Sequence, residues 1–281
     1  MIRYLVYTNV FISICAIALT SYSYLLFFGK LPEKNTLGFV FFATLFAYNF
    51  HRKVGRSHNP QKINSEKEKW LDGHQRLIYC LIFGSFGLAT YYCYNLPKTV
   101  LVLIFPLGFL SIFYILEVSR LPSLRSLPFL KIFIISFVWG GVTVLLPLLE
   151  STSFEALFGW EGQLFAVVVA LFVFAETLPF DVRDVEEDRL DGLKTLPQRI
   201  GIKKSKNLSI FIYILSFILF TILIKSDTNQ LLFLLSYGLS LIYSIFWILR
   251  INTKRHELFY SLAIESTLCM PLVFYCCIAA F

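Results

Sequence analysis

Acidic residues are scarce in this chain, and they crowd into one stretch. Of its 18 Asp and Glu residues, seven fall in the sixteen positions Glu176–Asp191, directly after the apolar run Leu164–Ala175. Asp181, Asp184 and Asp188 stand at i, i+3 and i+7, which on a helix points them within about 60° of one another. Such a face offers hard oxygen ligands, and Mg²⁺ takes one or two carboxylates together with water and substrate phosphates. A solvated acidic helix end has the same pattern, so spacing alone leaves both readings open.

Cations cluster elsewhere. The apolar run 36–51 ends in Asn49-Phe-His51-Arg52-Lys53, with Arg56 following. These side chains read either as snorkelling anchors at a lipid interface or as a clamp that binds phosphate directly. Helical spacing puts Asn49, Arg52, Lys53 and Arg56 on one face, with His51 to the side. Arg52, whose planar fork directs two hydrogen bonds, is therefore the expected phosphate contact and Lys53 the second. Tyr114, Arg120 and Arg125 form a further basic, Pro-broken connection. Lys131 lies just inside the next apolar run, where a lysine must snorkel or pair with an anion. Two carboxylates, Glu176 and Glu265, lie within apolar runs and are functional candidates on that ground. On an ideal helix Glu176 points about 140° away from the Asp181 face.

The elements that position these groups follow from composition. The chain is 57% hydrophobic and only 15% charged, against roughly 25% charged for a soluble domain. Nine runs approach the ~20 apolar residues that cross a bilayer: 4–28, 36–51, 77–95, 99–116, 129–149, 162–180, 208–225, 230–249 and 258–281. The expected fold is all-α, a polytopic bundle of nine transmembrane helices, because only helices and closed barrels satisfy the backbone in lipid. Loops this short leave no room for a separate soluble domain, so residues 1–281 are expected to form one domain. The first run is about twice the length of a signal-peptide core, which favours a retained helix. With the N-terminus inside, 21 of the 25 Lys and Arg residues fall in inner segments. The positive-inside bias thus predicts an inner-membrane protein with its N-terminus cytoplasmic and its C-terminus outside. The same bias, with anionic lipid, accounts for the net charge of +7. No nucleic acid partner is called for. The six cysteines all fall in apolar runs without zinc or disulfide spacing.

These motifs together resemble the UbiA-type intramembrane prenyltransferases. Asp181-Val-Arg-Asp184-Val-Glu-Glu-Asp188, followed by Gly192-Leu-Lys-Thr195-Leu-Pro and Arg199-Ile-Gly201, is similar to the family's second Asp-rich motif. Tyr114…Arg120-Leu-Pro122…Arg125…Lys131 is similar to the basic connection after its fourth helix. The resemblance implies a central cavity opening near the cytoplasmic side, Mg²⁺ on Asp181, Asp184 and Asp188, and an isoprenyl diphosphate held by Asn49, His51, Arg52, Lys53, Tyr114, Arg120, Arg125 and Lys131. It implies prenyl transfer to a hydrophobic acceptor within the lipid bilayer. The first Asp-rich motif departs from the family pattern: Asn49 matches, but Phe50, Lys53 and Ser57 occupy the Asp positions. His51, Arg52 and Lys53 would then supply positive charge where a second metal is lost. Two alternatives remain: a degenerate homologue that binds a prenyl lipid without turnover, and a transporter using Glu176, Glu265 and Lys131 as a relay.

The basic asymmetry makes the topology testable. A reporter inserted after Thr36 is expected outside and one within 59–69 inside. A tag in 151–160 that reacts from the cytoplasmic side would overturn this orientation.

Overall fold

The computed structural model describes residues 1–56, 66–114, 116, 130–152, 154–190, 195–224, 228–253 and 255–280. Among the described residues there are helices and no strands. Seven helices are long and apolar enough to cross a membrane, and Lys98–Phe113 is a shorter apolar helix.

The first apolar run is not one helix. It forms α1 (Ile2–Tyr7) and α2 (Val10–Phe28), broken at Thr8-Asn9. Asn9 takes a left-handed conformation (φ 62°), which Asn tolerates better than most residues. Next comes α3 (Lys34–Arg56), seven residues longer than the apolar run that predicts it. Beyond it lie the short amphipathic α4 (Glu66–Gly73) and α5 (Gln75–Tyr94), and a 3₁₀ turn leads into α6 (Leu101–Phe113). The next span starts as α7 (Leu130–Gly140), widens to a π turn at Gly141–Leu145 and ends as α8 (Leu146–Ser151). The carboxylate-bearing span is α9 (Trp160–Arg183), followed by the one- to two-turn helices α10 (Val185–Leu190) and α11 (Leu196–Ile200). Then come α12 (Ile202–Leu223) and α13 (Thr228–Arg250). The last span begins as α14 (Glu257–Phe259), passes through a π turn at Tyr260–Ile264 and a 3₁₀ turn at Glu265–Cys269, and ends as α15 (Met270–Ala279).

The centre of the bundle is α9, with 72% of its apolar window buried, against 22% for α5 at the periphery. It packs against α7 on one side and α12 on the other, while α2 lies between α3 and the last span. Many polar side chains inside the bundle are satisfied locally. The hydroxyls of Thr20, Ser136, Thr143, Thr177 and Ser244 each donate to the carbonyl four residues earlier, at 2.7–2.8 Å. That keeps a buried hydroxyl from costing free energy in a region without water. Hydrogen bonds also link helices: Tyr22 Oη donates to the Phe233 carbonyl at 3.0 Å, and Ser216 Oγ to the Val168 carbonyl at 3.1 Å.

Helices come close at Trp139-Gly140-Gly141, where small residues permit it. A Cβ on Gly140 would sit 2.8 Å from the Ala166 carbonyl oxygen of α9. Only glycine lets α7 come this near, and α7 is the helix that carries Lys131. Gly140→Ala should therefore force the α7–α9 seam apart and cost about 1–3 kcal/mol. Gly84→Ala, whose Cβ would meet nothing within 4 Å, should be neutral or slightly stabilising. Thermal unfolding of both variants in detergent checks the pair.

Candidate functional site

The C-terminal end of α9 is where charge is brought into the bundle. Asp181 is 2% exposed, and its Oδ1 lies 2.6 Å from the Lys131 ammonium at the start of α7. The alternatives for a lysine at this depth are thus resolved in favour of pairing. Tyr114, Asp184 and Asp188 are the other groups that act electrostatically on Lys131. Asp188 is itself buried, at 2% exposed.

The carboxylates do not share one uninterrupted helix. α9 ends at Arg183, Asp184 forms the turn (φ −89°, ψ 5°), and α10 restarts at Val185. The break has a local cause. Arg183 folds onto its neighbour, Nε donating to Asp184 Oδ1 at 2.6 Å and Nη2 to Oδ2 at 2.9 Å. The guanidinium also lies over the rings of Phe180 and Tyr260. Burial works against charge on Asp184, but Arg183 outweighs it and holds the carboxyl down at about 2.

On α3 the structure separates the residues that spacing had grouped. Asn49, 1% exposed, donates to the Thr8 carbonyl at 2.9 Å and accepts from Asn9 Nδ2 at 3.1 Å. Arg52 donates to the Tyr7 carbonyl at 2.7 Å and to Asn9 Oδ1 at 2.8 Å. Both therefore fasten the α1–α2 break, whose carbonyls have no helical partner. Lys53 lies over the Tyr79 ring, 4.7 Å from its centroid, toward α5. His51 instead turns to α6: its Nε2 is 2.7 Å from the Ser111 carbonyl and its ring 5.4 Å from that of Tyr114. The side chain placed off the cationic face thus leads, through Tyr114, to Lys131 and Asp181. Phe50 joins Tyr114 and Ile134 in an apolar cluster and stacks on Phe46. Arg120, Arg125, Ser57 and Asp191 lie outside the described residues.

Three participants at this end had no prominence in the sequence. Lys67 of α4, only 8% exposed, pairs with Glu257 at 2.7 Å, and Arg3 pairs with Glu66. With Tyr4 and Tyr7 edge-on to Trp70, these contacts hold α4 against α1 and the start of the last span. Burial first, and Arg52 second, push the Lys67 ammonium down to about 8, while Glu257 opposes them. The third is Asn9, an amide in an apolar run, which was the available signal. Lys67 is hidden in an alternating Glu-Lys run that reads as solvated.

Among the described residues, no group of three or more His, Cys, Asp or Glu side chains is arranged to hold a metal ion. Mg²⁺ does not need such a cage, since one or two carboxylates with phosphate oxygens and water suffice. Asp181 and Asp184 offer the right donors, but each already faces a cation. The donor set fits at most one Mg²⁺, its coordination completed by oxygens from outside the protein. The α3 side, with Phe50 and Lys53 at the corresponding positions, fits none.

An intramembrane helical bundle with paired carboxylates and cations at one end defines a class, and comparison gives the family. The UbiA prenyltransferase family matches residues 71–265, and the chain belongs to that family. It is an integral membrane protein. Its fold is similar to a UbiA homologue from Archaeoglobus fulgidus solved with GPP and Mg²⁺ (TM-score 0.66, 12% identity, 99% of this chain and 100% of that one). It is also similar to the apo UbiA homologue from Aeropyrum pernix K1 (TM-score 0.60, 15% identity, 97% and 98%). A third likeness is to a structure concerning digeranylgeranylglyceryl phosphate synthase in membranes (TM-score 0.56, 15% identity, 97% and 96%). At these identities the likeness is one of fold. No curated protein matches the sequence.

The buried Lys131–Asp181 pair should behave as a unit. Lys131→Met or Asp181→Asn leaves one charge uncompensated and should cost about 3–5 kcal/mol of stability. The double variant should lose clearly less than the sum. Denaturation of the three variants measures the coupling, and additive losses would mean the pair makes no energetic contact.

Proposed function

We propose that this chain is a membrane prenyltransferase that moves a prenyl group from an isoprenyl diphosphate to a hydrophobic acceptor. The observation that carries this reading is the Lys131 ammonium held 2.6 Å from Asp181 at the inner end of α9, beside Asp184 and Asp188. The residues 1–281 act as one domain, with α3 and α6 completing nine crossings around a cavity open toward the cytoplasm. The N-terminus is cytoplasmic, the C-terminus outside, and the membrane is the inner one.

Ionising an allylic C–O bond builds negative charge on the departing diphosphate, and fixed positive charge lowers that barrier. Lys131 supplies it from α7, and the Tyr114 hydroxyl, placed by His51, donates beside it. Arg120 and Arg125 belong to the same basic connection. Asp181, Asp184 and Asp188 would hold Mg²⁺, which supplies Lewis-acid stabilisation of the phosphoryl oxygens when bound. As diphosphate enters, Lys131 exchanges Asp181 for phosphate, which releases that carboxylate. Arg52 and Asn49 keep the cavity's inner rim in shape through the α1–α2 break, and Lys53 contributes long-range positive charge.

A second reading has its own support. Phe50 fills with apolar contact a position where family members carry a metal ligand, which suits a protein that binds a prenyl lipid without turnover.

Purified protein given Mg²⁺ and a prenyl diphosphate should release inorganic diphosphate. Asp184→Ala should weaken Mg²⁺-dependent binding of a non-hydrolysable prenyl diphosphate at least tenfold, about 1.4 kcal/mol. Mg²⁺ alone should bind weakly, and the prenyl diphosphate should strengthen it. Binding without diphosphate release would favour the second reading, and Mg²⁺-independent binding would remove the metal from both.

A further inference from the structure

Arg52 and Lys53 are neighbours on α3 and take different directions, and a small cleft, partly open to the surface, lies against both. Its other walls are Leu71 of α4 and Gln75 and Ile78 of α5. Tyr114, Lys131, Asp181 and Asp184 do not border it. The side of α3 that leads to those residues carries His51 and Phe50 instead.

The charge on this cleft is positive and unpaired. Arg52 donates to the Tyr7 carbonyl and to Asn9 Oδ1, both neutral acceptors, which leaves other guanidinium N–H groups over. Lys53 meets the face of the Tyr79 ring. Neither cation pairs with a carboxylate among the described residues. Glu257, Glu265 and Glu68 act on Arg52 electrostatically without pairing with it. An exposed acid, Asp72, stands next to Gln75 and accepts from its Nε2 at a long 3.4 Å. The start of α5 adds to the positive side. Its N-cap residue, His74, makes no side-chain capping bond, and the first N–H groups of a helix have no acceptor within it. The remaining walls are apolar: Leu71 and Ile78 are buried together with Ile82. Further along α5, Tyr79, Phe83 and Phe86 are exposed, and α5 is the least buried of the seven spans.

We propose that this cleft binds an anionic membrane lipid, its phosphate held by Arg52, Lys53 and the start of α5 and its acyl chains laid along the exposed face of α5. A guanidinium, an ammonium and an uncapped helix start are the donors that phosphate oxygens take best. The cleft is small, which suits one phosphate and no larger polar group. Its apolar walls decide the source of that phosphate. A free phosphate ion must shed water against Leu71 and Ile78 without compensation. A lipid phosphate already rests at the interface, and its chains keep it there at high effective concentration. A zwitterionic head brings a quaternary ammonium close to Lys53 and is disfavoured by like charge. The bound lipid joins α3, α4 and α5 at one point and so stiffens the span with the least protein around it. This site goes beyond the prenyl-transfer reading and does not depend on it.

Full-length protein in detergent micelles, titrated with short-chain phosphatidylglycerol or phosphatidylcholine, should bind the anionic lipid about tenfold more tightly. Phosphatidylglycerol should also raise the thermal unfolding midpoint more than phosphatidylcholine does. Gln75→Glu puts a carboxylate at the cleft on an exposed position, and Lys53→Gln removes a cation. Each should shrink the preference several-fold, while Arg52 is left intact because it also fastens the α1–α2 break. Lys203→Gln, which removes an exposed cation elsewhere, should leave the preference unchanged. Equal binding of the two lipids by the wild-type protein would overturn the site, and this comparison requires no variant to fold. An equal loss in Lys203→Gln and Lys53→Gln would overturn it too, since any surface cation would then serve. Inorganic phosphate that displaces phosphatidylglycerol at equal concentration would make the site one for the free ion. A prenyl diphosphate that displaces it would make the cleft part of the substrate site. Either displacement sinks the lipid assignment, and only the second bears on prenyl transfer.

Discussion

A lysine and an aspartate cannot enter a lipid-embedded bundle singly. Each carries a desolvation cost of several kcal/mol, offset only when the partner's charge and hydrogen bonds are close and fixed. The Lys131–Asp181 pair meets that condition, and it sets demands on the helices around it. The pair needs α7 and α9 in contact, and the missing side chain of Gly140 permits that contact higher in the bundle. It also needs apolar cover, which Tyr114 and Ile134 form with Phe50. The pairing leaves Asp181 neutralised by Lys131, so that a metal ion approaching that carboxylate would have to compete with the ammonium.

The α1–α2 break is the second fixed point, and it answers a backbone problem. Interrupting a helix at Asn9 strands carbonyls of the preceding turn, and no water is available to take them. Arg52 and Asn49 reach across from α3 to the Tyr7 and Thr8 carbonyls, while Asn9 turns its own amide to Asn49. A guanidinium suits this role because its fork binds two acceptors at once and stays charged when buried. The rim of the site is therefore built from backbone repair.

Much of this architecture was legible in the sequence. Apolar run length located α2, α9, α12 and α13, because a span's composition is dictated by the solvent around it. The run 162–180 and the observed Trp160–Arg183 differ only at their polar ends. Lys131 was legible as a buried cation, since a lysine followed by Ile132–Val138 cannot reach water without distortion. The break at Asn9 was not, because hydropathy averages over a single amide. Nor was the turn at Asp184, which comes from Arg183 bonding to its own neighbour, a contact that helical periodicity does not encode. The 3.6-residue repeat correctly put Asn49 and Arg52 on one face but could not say what that face meets. It meets α1, and His51, one position away, meets Tyr114. Periodicity assigns neighbours along a helix, while partners across the bundle depend on which helix is adjacent.

The altered α3 motif acquires a physical meaning from these placements. Where family members place carboxylates, Phe50 adds a ring to the cluster around Tyr114, and Lys53 moves out over Tyr79. Removing acids from α3 without replacing them would leave a metal-depleted, wet gap beside Tyr114. Filling it with an aromatic side chain instead dries the surroundings of the Lys131–Asp181 pair, and a drier pair exerts a stronger field on anything bound beside it. The buried ion pair at this end is thus carried by α7 and α9, and at Phe50 the face of α3 beside it is a wall of apolar side chains.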